Sequence, residues 1–371
     1  MVAKVTYVQI DSLALMKIVK HVDSELSSNL YEASGEACQG LLTGLVAVDE
    51  DRLEVTNCFP TARPEMNMDN EEGNAQMAKW QAEQEEVKQH EMLDMLRKFR
   101  NMNIDYELIG FYQAHAFGAC FSYDMAASLF EYQSNVQDGV VLVYDPVKTR
   151  QGQLSMTVYR LSQTALDMFK DEEWSLENVK SKGITYENLF EELPLVIKSS
   201  HLVNVMVAEL SLAESSRLKN KNGIHLQLGT KGSLEKCVRT MVANTDLLTK
   251  DIQLLQKYLQ DRSRHEAHIN YLTQKRESDN DGRRLRGEPA LSMDDISKMK
   301  GPTLFTRNGM LDSMLVSMDT QALCDFVNKV TGETMAKLFL AESTQGERRR
   351  SEDRLSDHVQ ILVYIILRAK T

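Results

Sequence analysis

With 371 residues, the chain is long enough for two domains, each able to bury its own core. Its net charge of −11 argues against a protein built to grip phosphate backbones. The five cysteines (Cys38, Cys58, Cys120, Cys237 and Cys324) form no C-x-x-C pair and are odd in number, which suits buried thiols in a reducing compartment better than a disulfide framework or a zinc knuckle.

Met1 to Val5 lacks the apolar core of a signal peptide, and the longest late apolar run, Ile361 to Leu367, is too short to cross a bilayer as a helix. A cytoplasmic protein without a membrane contact is therefore expected. Leu15, Ile18, Val19 and Val22 recur at helical spacing behind Asp11 and Ser12, either of which suits a cap. Two strand-like runs follow, Gly40 to Val48 and Arg52 to Phe59. In the second, Leu53, Val55, Asn57 and Phe59 fall on one face. Asp49-Glu50-Asp51 between them suits a tight connection. Ala75 to Arg100 reads as a long helix with a thin apolar side of Met77, Trp80, Val87, Met95, Leu96 and Phe99. Leu108 to Tyr112 and Gly139 to Tyr144 read as central strands, and the uninterrupted Val140-Val141-Leu142-Val143 fits burial on both faces. Asp145-Pro146 then turns the chain. Leu154, Met156 and Val158 alternate with Gln153, Ser155, Thr157 and Tyr159, the pattern of a strand with one wet face.

Between Pro194 and Pro289 there is no proline and glycine is sparse, so long helices are permitted. One begins near Ser200 and carries Leu202, Val205, Met206 and Leu210, and Asn222-Gly223 with Gly229 to Gly232 mark a loop. From Leu234 a heptad seam runs through Val238, Met241, Thr245, Leu248, Ile252, Leu255 and Leu259 in alternating steps of four and three. Its apolar members, Leu234, Val238, Met241, Leu248, Ile252, Leu255 and Leu259, are the expected partner-binding residues. Their gross burial is worth about 10–20 kcal/mol, before association and ordering costs. The spacing fits an intramolecular bundle and a seam facing another chain alike. Arg262 and Glu266 share its phase, so the seam frays there. Gln274 to Met299 is charged and broken by Gly282, Gly287 and Pro289. A last helix is expected from about Asp319 to Ala341, with Leu323, Phe326, Val327, Val330 and Leu338 on its apolar side. Arg283-Arg284-Leu285-Arg286 and Arg348-Arg349-Arg350 lack interleaved aromatics and read as solvated loops, which leaves direct RNA contact open.

The run Gly110-Phe111-Tyr112-Gln113-Ala114-His115-Ala116-Phe117-Gly118 resembles the metal loop of the MPN (JAB1/MPN/Mov34) family. Zinc-binding members of that family carry H-x-H-x7-S-x-x-D and an upstream catalytic Glu. On this pattern Gln113 takes the first ligand position, His115 the second, Tyr123 the serine position and Ala126 the aspartate position. Asp124 follows His115 by nine residues rather than eleven and is out of register. The position of the upstream Glu, before Gly40-Leu41-Leu42-Thr43-Gly44, holds Ala37. Glu36 lies one residue early, on the opposite face if the backbone is extended. One protein ligand remains, whereas a catalytic zinc needs about three and an open position for water. Lowering the pKa of that water is worth about 12 kcal/mol, which a single histidine cannot supply. No catalytic residue, metal or cofactor is therefore expected, and His115 reads as an ordinary loop histidine.

A more specific resemblance covers about residues 6 to 345. It is carried by Val8-Gln9-Ile10-Asp11, Leu53-Glu54-Val55-Thr56-Asn57-Cys58-Phe59-Pro60, Gly110-Phe111-Tyr112-Gln113, Val140 to Thr149 and Tyr159-Arg160-Leu161. Beyond these it includes Phe190 to Leu202, Arg286-Gly287-Glu288-Pro289 and Lys337-Leu338-Phe339-Leu340-Ala341. In these stretches the chain is similar to the H-subunit family of eukaryotic translation initiation factor 3, a non-catalytic branch of the MPN proteins. The resemblance implies an α+β fold, an MPN domain with a central β-sheet flanked by helices, followed by a long C-terminal α-helical region. It divides the chain into an MPN domain at 6–161, a helical extension at 162–273 with the seam at 234–259, a charged linker at 274–318, a C-terminal helix at 319–345 and an unassigned tail at 346–371. In the tail, Ile361 to Leu367 reads as a lineage-specific docking strand or an error in the predicted gene, and the aggregation hazard of an unpartnered β-branched run favours the error. The resemblance further implies a scaffold role in the initiation-factor complex, with the second MPN protein of that complex (its F subunit) and the helical bundle of the core as partners. The small ribosomal subunit is reached through that complex, which recruits initiator tRNA and mRNA. Competing readings are a non-catalytic MPN subunit of the proteasome lid or signalosome, and a zinc-dependent deubiquitinase with unorthodox ligands around His115.

Overall fold

The computed structural model describes residues 5–27, 38–47, 51–61, 74–136, 138–150, 154–171, 174–217, 233–287, 289, 291–292 and 309–368. Strand β1 (Tyr7–Asp11) runs directly into helix α1 (Ser12–Ser27). Strands β2 (Cys38–Ala47) and β3 (Arg52–Pro60) pair antiparallel, and helix α2 (Asn74–Asn101) leads to β4 (Leu108–Ala114). Helix α3 (Tyr123–Asn135), β5 (Val140–Tyr144), the short α4 (Pro146–Arg150) and β6 (Met156–Leu161) follow. Then come α5 (Gln163–Asp171), α6 (Leu176–Lys182), β7 (Phe190–Leu193) and β8 (Leu195–Lys198). Three further helices are α7 (His201–Arg217), α8 (Ser233–Arg286) and α9 (Gly309–Arg368). No helix among the described residues is long and apolar enough to cross a membrane.

The strands form one sheet in the order β7-β6-β5-β4-β2-β3-β1-β8. Its two edge strands are consecutive in sequence and separated only by Pro194, so a single extended segment serves both ends of a strongly curled sheet. Pro194 lacks an N–H but its carbonyl accepts from Val8 N at 2.9 Å. Arg160 of β6 seals the seam: its guanidinium meets Glu191 Oε2 at 3.0 Å and donates to the Val5 carbonyl at 3.1 Å. Two strands of this sheet thus come from Phe190–Lys198, a segment grouped by sequence with the helical extension. Close approach between strands explains Gly110 and Gly44. A Cβ at Gly110 would sit 1.9 Å from the Val140 carbonyl oxygen, and one at Gly44 would sit 1.8 Å from that of Glu54.

Each face of the sheet carries a core. One is built by Ile10, Leu42, Leu53, Tyr112 and Leu142 against Ala14, Ile18 and Val22 of α1. The helix is also pinned by polar ties: Lys17 Nζ donates to Asn57 Oδ1 at 2.6 Å, and the Tyr112 hydroxyl lies 2.8 Å from His21 Nδ1, with the Cys38 thiol 3.4 Å from the same nitrogen. The other core gathers Leu41, Phe59, Phe111, Val141, Leu129, Met168 and Trp174. Val140 to Tyr144 are all buried, as an uninterrupted apolar strand requires.

Several local expectations are corrected. The register between β2 and β3 slips between Thr43 and Gly44, so Thr43 opposes Asn57 while Gly44 opposes Val55. This bulge reverses the phase of β3: Leu53 and Val55 face α1, but Phe59 packs on the opposite core with Leu41, and Cys58 turns toward α1 with its thiol donating to the Ala14 carbonyl. The expected wet face of β6 is also covered, because Tyr159 and Leu161 pack against the second core and Leu154 precedes the strand, exposed. On α2, Val87 is exposed, whereas Phe99 is buried edge-on against Phe59; the side chains of Met77 and Trp80 lie outside the described residues, as do Asp49-Glu50 and the Asn222 to Gly232 loop.

The charged linker at 274–318 and the last helix at 319–345 are corrected as well. Residues 274–286 are the final turns of α8, which passes through Gly282 and stops where Gly287 adopts φ +75. An exposed glycine weakens a helix by only about 1 kcal/mol, which a helix packed along its length tolerates. The Asn280 amide holds both the N–H and the carbonyl of Leu291 and turns the chain. Helix α9 starts at Gly309, ahead of expectation, because Leu311 and Leu315 drop into the second core. Its backbone stays helical to Arg368, so Ile361 to Leu367 is not a strand and Arg348 to Arg350 are not a loop. Likewise Arg283, Arg284 and Arg286 occupy the last turn of α8, beside its negative dipole end.

Candidate functional site

Strand β4 delivers Gln113 and His115 to the end of the sheet. Gln113 is buried, and the backbone N–H of His115 donates to the Tyr144 carbonyl at 3.0 Å, continuing the pairing with β5. The His115 Nε2 lies 3.2 Å from Gln113 Oε1. That oxygen only accepts, so Nε2 carries the proton and is spent on the amide. Burial lowers the imidazole to about 4, which keeps it neutral near pH 7. The two template positions are thus brought together, as a hydrogen-bonded pair.

The other two positions do not join them. Tyr123 is exposed at the start of α3, and Ala126 is fully buried in the second core. The serine beside the template position, Ser122, accepts the Met125 N–H at 3.2 Å and so caps α3. Asp124 sits exposed in the first turn of the same helix. Ala37 and Glu36 lie outside the described residues. Among the described residues no group of three His, Cys, Asp or Glu side chains has the arrangement to hold a metal ion.

Between His115 and α3 the chain makes a short 3-10 turn, Ala116–Gly118, in which Phe117 takes φ 67 and Gly118 φ 73. A left-handed phenylalanine costs of order 1–3 kcal/mol and persists only when its surroundings hold it. Asp145 orders the segment beside it. Its carboxylate accepts the amides of Val147 and Lys148 at 2.9 and 3.1 Å. Burial raises the Asp145 pKa, against those hydrogen bonds and Lys148, which lies 3.8 Å away.

Phe117 is the knob of this arrangement and the helices supply its socket. Cys237 of α8 with Leu323, Phe326 and Val330 of α9 form a separate buried cluster around it, and the Phe117 and Phe326 rings lie 4.9 Å apart. Sequence reading placed Leu323, Phe326 and Val330 on one helical face but gave no partner for them. The missed signal is the aromatic inside the metal-loop frame. Asp319, which accepts the Phe121 amide at 2.8 Å, was also missed, since a lone acidic residue in a helix carries no sequence signal of burial.

Helices α8 and α9 pair antiparallel, as the contacts Cys237 to Leu323, Met241 to Cys324 and Asp251 to Ser313 require. This divides the heptad seam. Met241, Leu248 and Leu255 fall in the half-buried row of α8, together with Asn244, Asp251 and Tyr258, and Leu234 is half-buried at its start. Val238, Ile252 and Leu259 stay exposed.

The curled sheet and its Gln113–His115 loop define an MPN-domain protein whose described residues bring no three zinc ligands together. Residues 3–138 match the family described as JAB1/Mov34/MPN/PAD-1 ubiquitin protease, and residues 149–350 match that described as the C-terminal region of eIF3h. The H subunit of eukaryotic translation initiation factor 3 from Caenorhabditis elegans is 54% identical over 344 residues, spanning 93% of each chain. The H-B form of this protein from Danio rerio is 35% identical, over 92% of this chain and 94% of the relative, and the Xenopus tropicalis protein is 34% identical over 92% and 93%. The chain belongs to the H-subunit family of eukaryotic translation initiation factor 3, a family of translation initiation factor subunits.

Proposed function

We propose that this chain is a non-catalytic scaffold subunit of the initiation-factor complex, working in the cytoplasm to assemble the initiation complex on the small ribosomal subunit. In this reading it supports recruitment of initiator tRNA and mRNA by contributing affinity and geometry. The observation that carries the reading is the metal loop itself: Gln113 and His115 bond to each other, Ala126 is core, and the helices of the chain close over Phe117. Among the described residues no group of three His, Cys, Asp or Glu side chains is placed to hold the zinc of a deubiquitinase, and the match over 149–350 favours the initiation factor over the proteasome lid or signalosome.

The partners in this reading are the second MPN protein of the complex, its F subunit, and the helical bundle of the core. The surfaces available to them are the outward half of the seam, Val238, Ile252 and Leu259, and helix α7, where Leu202 is 81% exposed with Val205 and Leu210 beside it. Large exposed apolar side chains repeated along a helix mark an interaction surface. The test is affinity purification of the tagged chain, with stoichiometry by mass spectrometry and sedimentation across a ribosome gradient. Near-equimolar initiation-factor subunits moving with the small ribosomal subunit are expected. Recovery of the chain alone, or with lid subunits, would reject the assignment.

A further inference from the structure

Beyond Gly287 the chain turns back along α8. The Asn280 amide holds the N–H and the carbonyl of Leu291 at 2.7 and 3.1 Å, and one turn earlier in the helix the Arg276 guanidinium donates to the Ser292 carbonyl at 2.8 Å. Successive residues of the returning chain thus meet positions 280 and 276 on one face of α8, and Arg283 continues that face. Ser292 lies in neither helix nor strand and is exposed, while Arg276 is half-buried.

In sequence this serine opens the run Ser292-Met293-Asp294-Asp295, which puts carboxylates two and three residues beyond its hydroxyl. A basic substrate cleft reads such charges on an extended chain, which is how acid-directed protein kinases choose their serines. Ser278, followed by Asp279 and Asp281, carries similar charges but lies inside α8, where its backbone is bound into the helix. We propose that Ser292 is the phosphorylation site of an acid-directed serine/threonine kinase and that Arg276 receives the phosphate, fastening the returning chain to α8. The γ-phosphoryl group of ATP passes to Ser292 Oγ, whose proton is released, and ADP leaves. The product carries a charge of about −1.5 to −2 and three acceptor oxygens. Arg276 spends one of its five N–H donors on the carbonyl of that same residue, so its planar fork is already beside the new group for a bidentate contact. Glu277 and Asp279 lie to either side of this face of α8 and oppose the added charge, whereas Arg283 supports it. The modification concerns how one chain is fastened and stands whether or not the scaffold reading does.

Phosphorylation of the full chain by purified casein kinase II with Mg-ATP tests it, with the sites mapped by mass spectrometry and hydrogen exchange then read on peptides covering 276–292. Phosphate on Ser292 is expected, absent in Ser292→Ala and taken up more slowly when Asp294→Asn and Asp295→Asn are combined. Phosphorylation should slow exchange of the Leu291 N–H, which binds Asn280, by about tenfold, the effect of one charge-assisted hydrogen bond gained beside it. Arg276→Ala should accept the phosphate at the wild-type rate and lose that slowing. Phosphate placed on Ser278 with none on Ser292, or no phosphate on either, overturns the acceptor site. A chain phosphorylated on Ser292 in which Leu291 exchanges at its former rate, or is slowed as much in Arg276→Ala, overturns the role of Arg276.

Discussion

Two half-buried groups at the degenerate loop, His115 and Asp319, pull stability in opposite directions as pH changes. His115 titrates at about 4 in the folded chain against 6.5 when exposed. Between those values the unfolded chain binds more protons, so this contribution is complete above pH 6.5 and is lost as pH falls toward 4, by at most about 3 kcal/mol. Asp319 titrates at about 7 against 3.8. There the native state binds more protons, so its contribution is complete below pH 3.8 and declines as pH rises toward 7. In the shared window, roughly pH 4 to 6.5, the slopes oppose each other, and single variants separate them. Chemical denaturation of His115→Gln should show stability falling from pH 4.5 to 6.5 relative to wild type, and Asp319→Asn should show it rising. If both variants keep the wild-type slope, the two groups are not buried as described.

At the scale of elements, the split seam converts one sequence pattern into two separable surfaces. Leu248→Asp or Leu255→Asp puts a carboxylate in the half-buried row that faces α9, and should destabilise the fold by about 2–4 kcal/mol. Ile252→Asp with Leu259→Asp changes exposed positions, should alter stability by less than about 0.5 kcal/mol each, and should cost the chain its complex partners. Melting curves and pull-downs on the two sets decide this. Outward variants that keep their partners move the interface to α7. The seam shows what was legible in sequence. Steps of four and three reveal a stripe, but which flank of it meets α9 depends on residues some sixty positions away, such as Ser313 on Asp251. The same holds for β3. Its alternation was plain, yet the bulge that sends Phe59 to the other core lies in how Thr43 and Gly44 meet their partners, and no composition marks it. The degenerate loop was legible residue by residue because each lost ligand is a change of residue type. Its cover was not, because the cover is a contact between Phe117 and Phe326, distant in sequence.

For the whole molecule, the question is whether the sheet and its flanking helices form a unit to which the hairpin is attached, or whether the hairpin completes them. Leu311, Leu315, Leu323, Phe326 and Val330 of α9 are each no more than 4% exposed. At about 1.5–3 kcal/mol per buried side chain, these five contribute roughly 8–15 kcal/mol of gross burial. That matches the whole net stability of an ordinary domain, about 5–15 kcal/mol. The sheet therefore loses its margin without α9, even though every strand is present. A chain shortened to end at Arg217 is expected to keep its secondary structure by far-ultraviolet circular dichroism, bind a hydrophobic dye and melt without a cooperative transition. A chain lacking 346–371 retains all five side chains and should melt like the full protein. If the chain ending at Arg217 instead unfolds cooperatively at the full-length melting temperature, the hairpin is an appendage, and neither its grip on Phe117 nor its burial contributes to the fold.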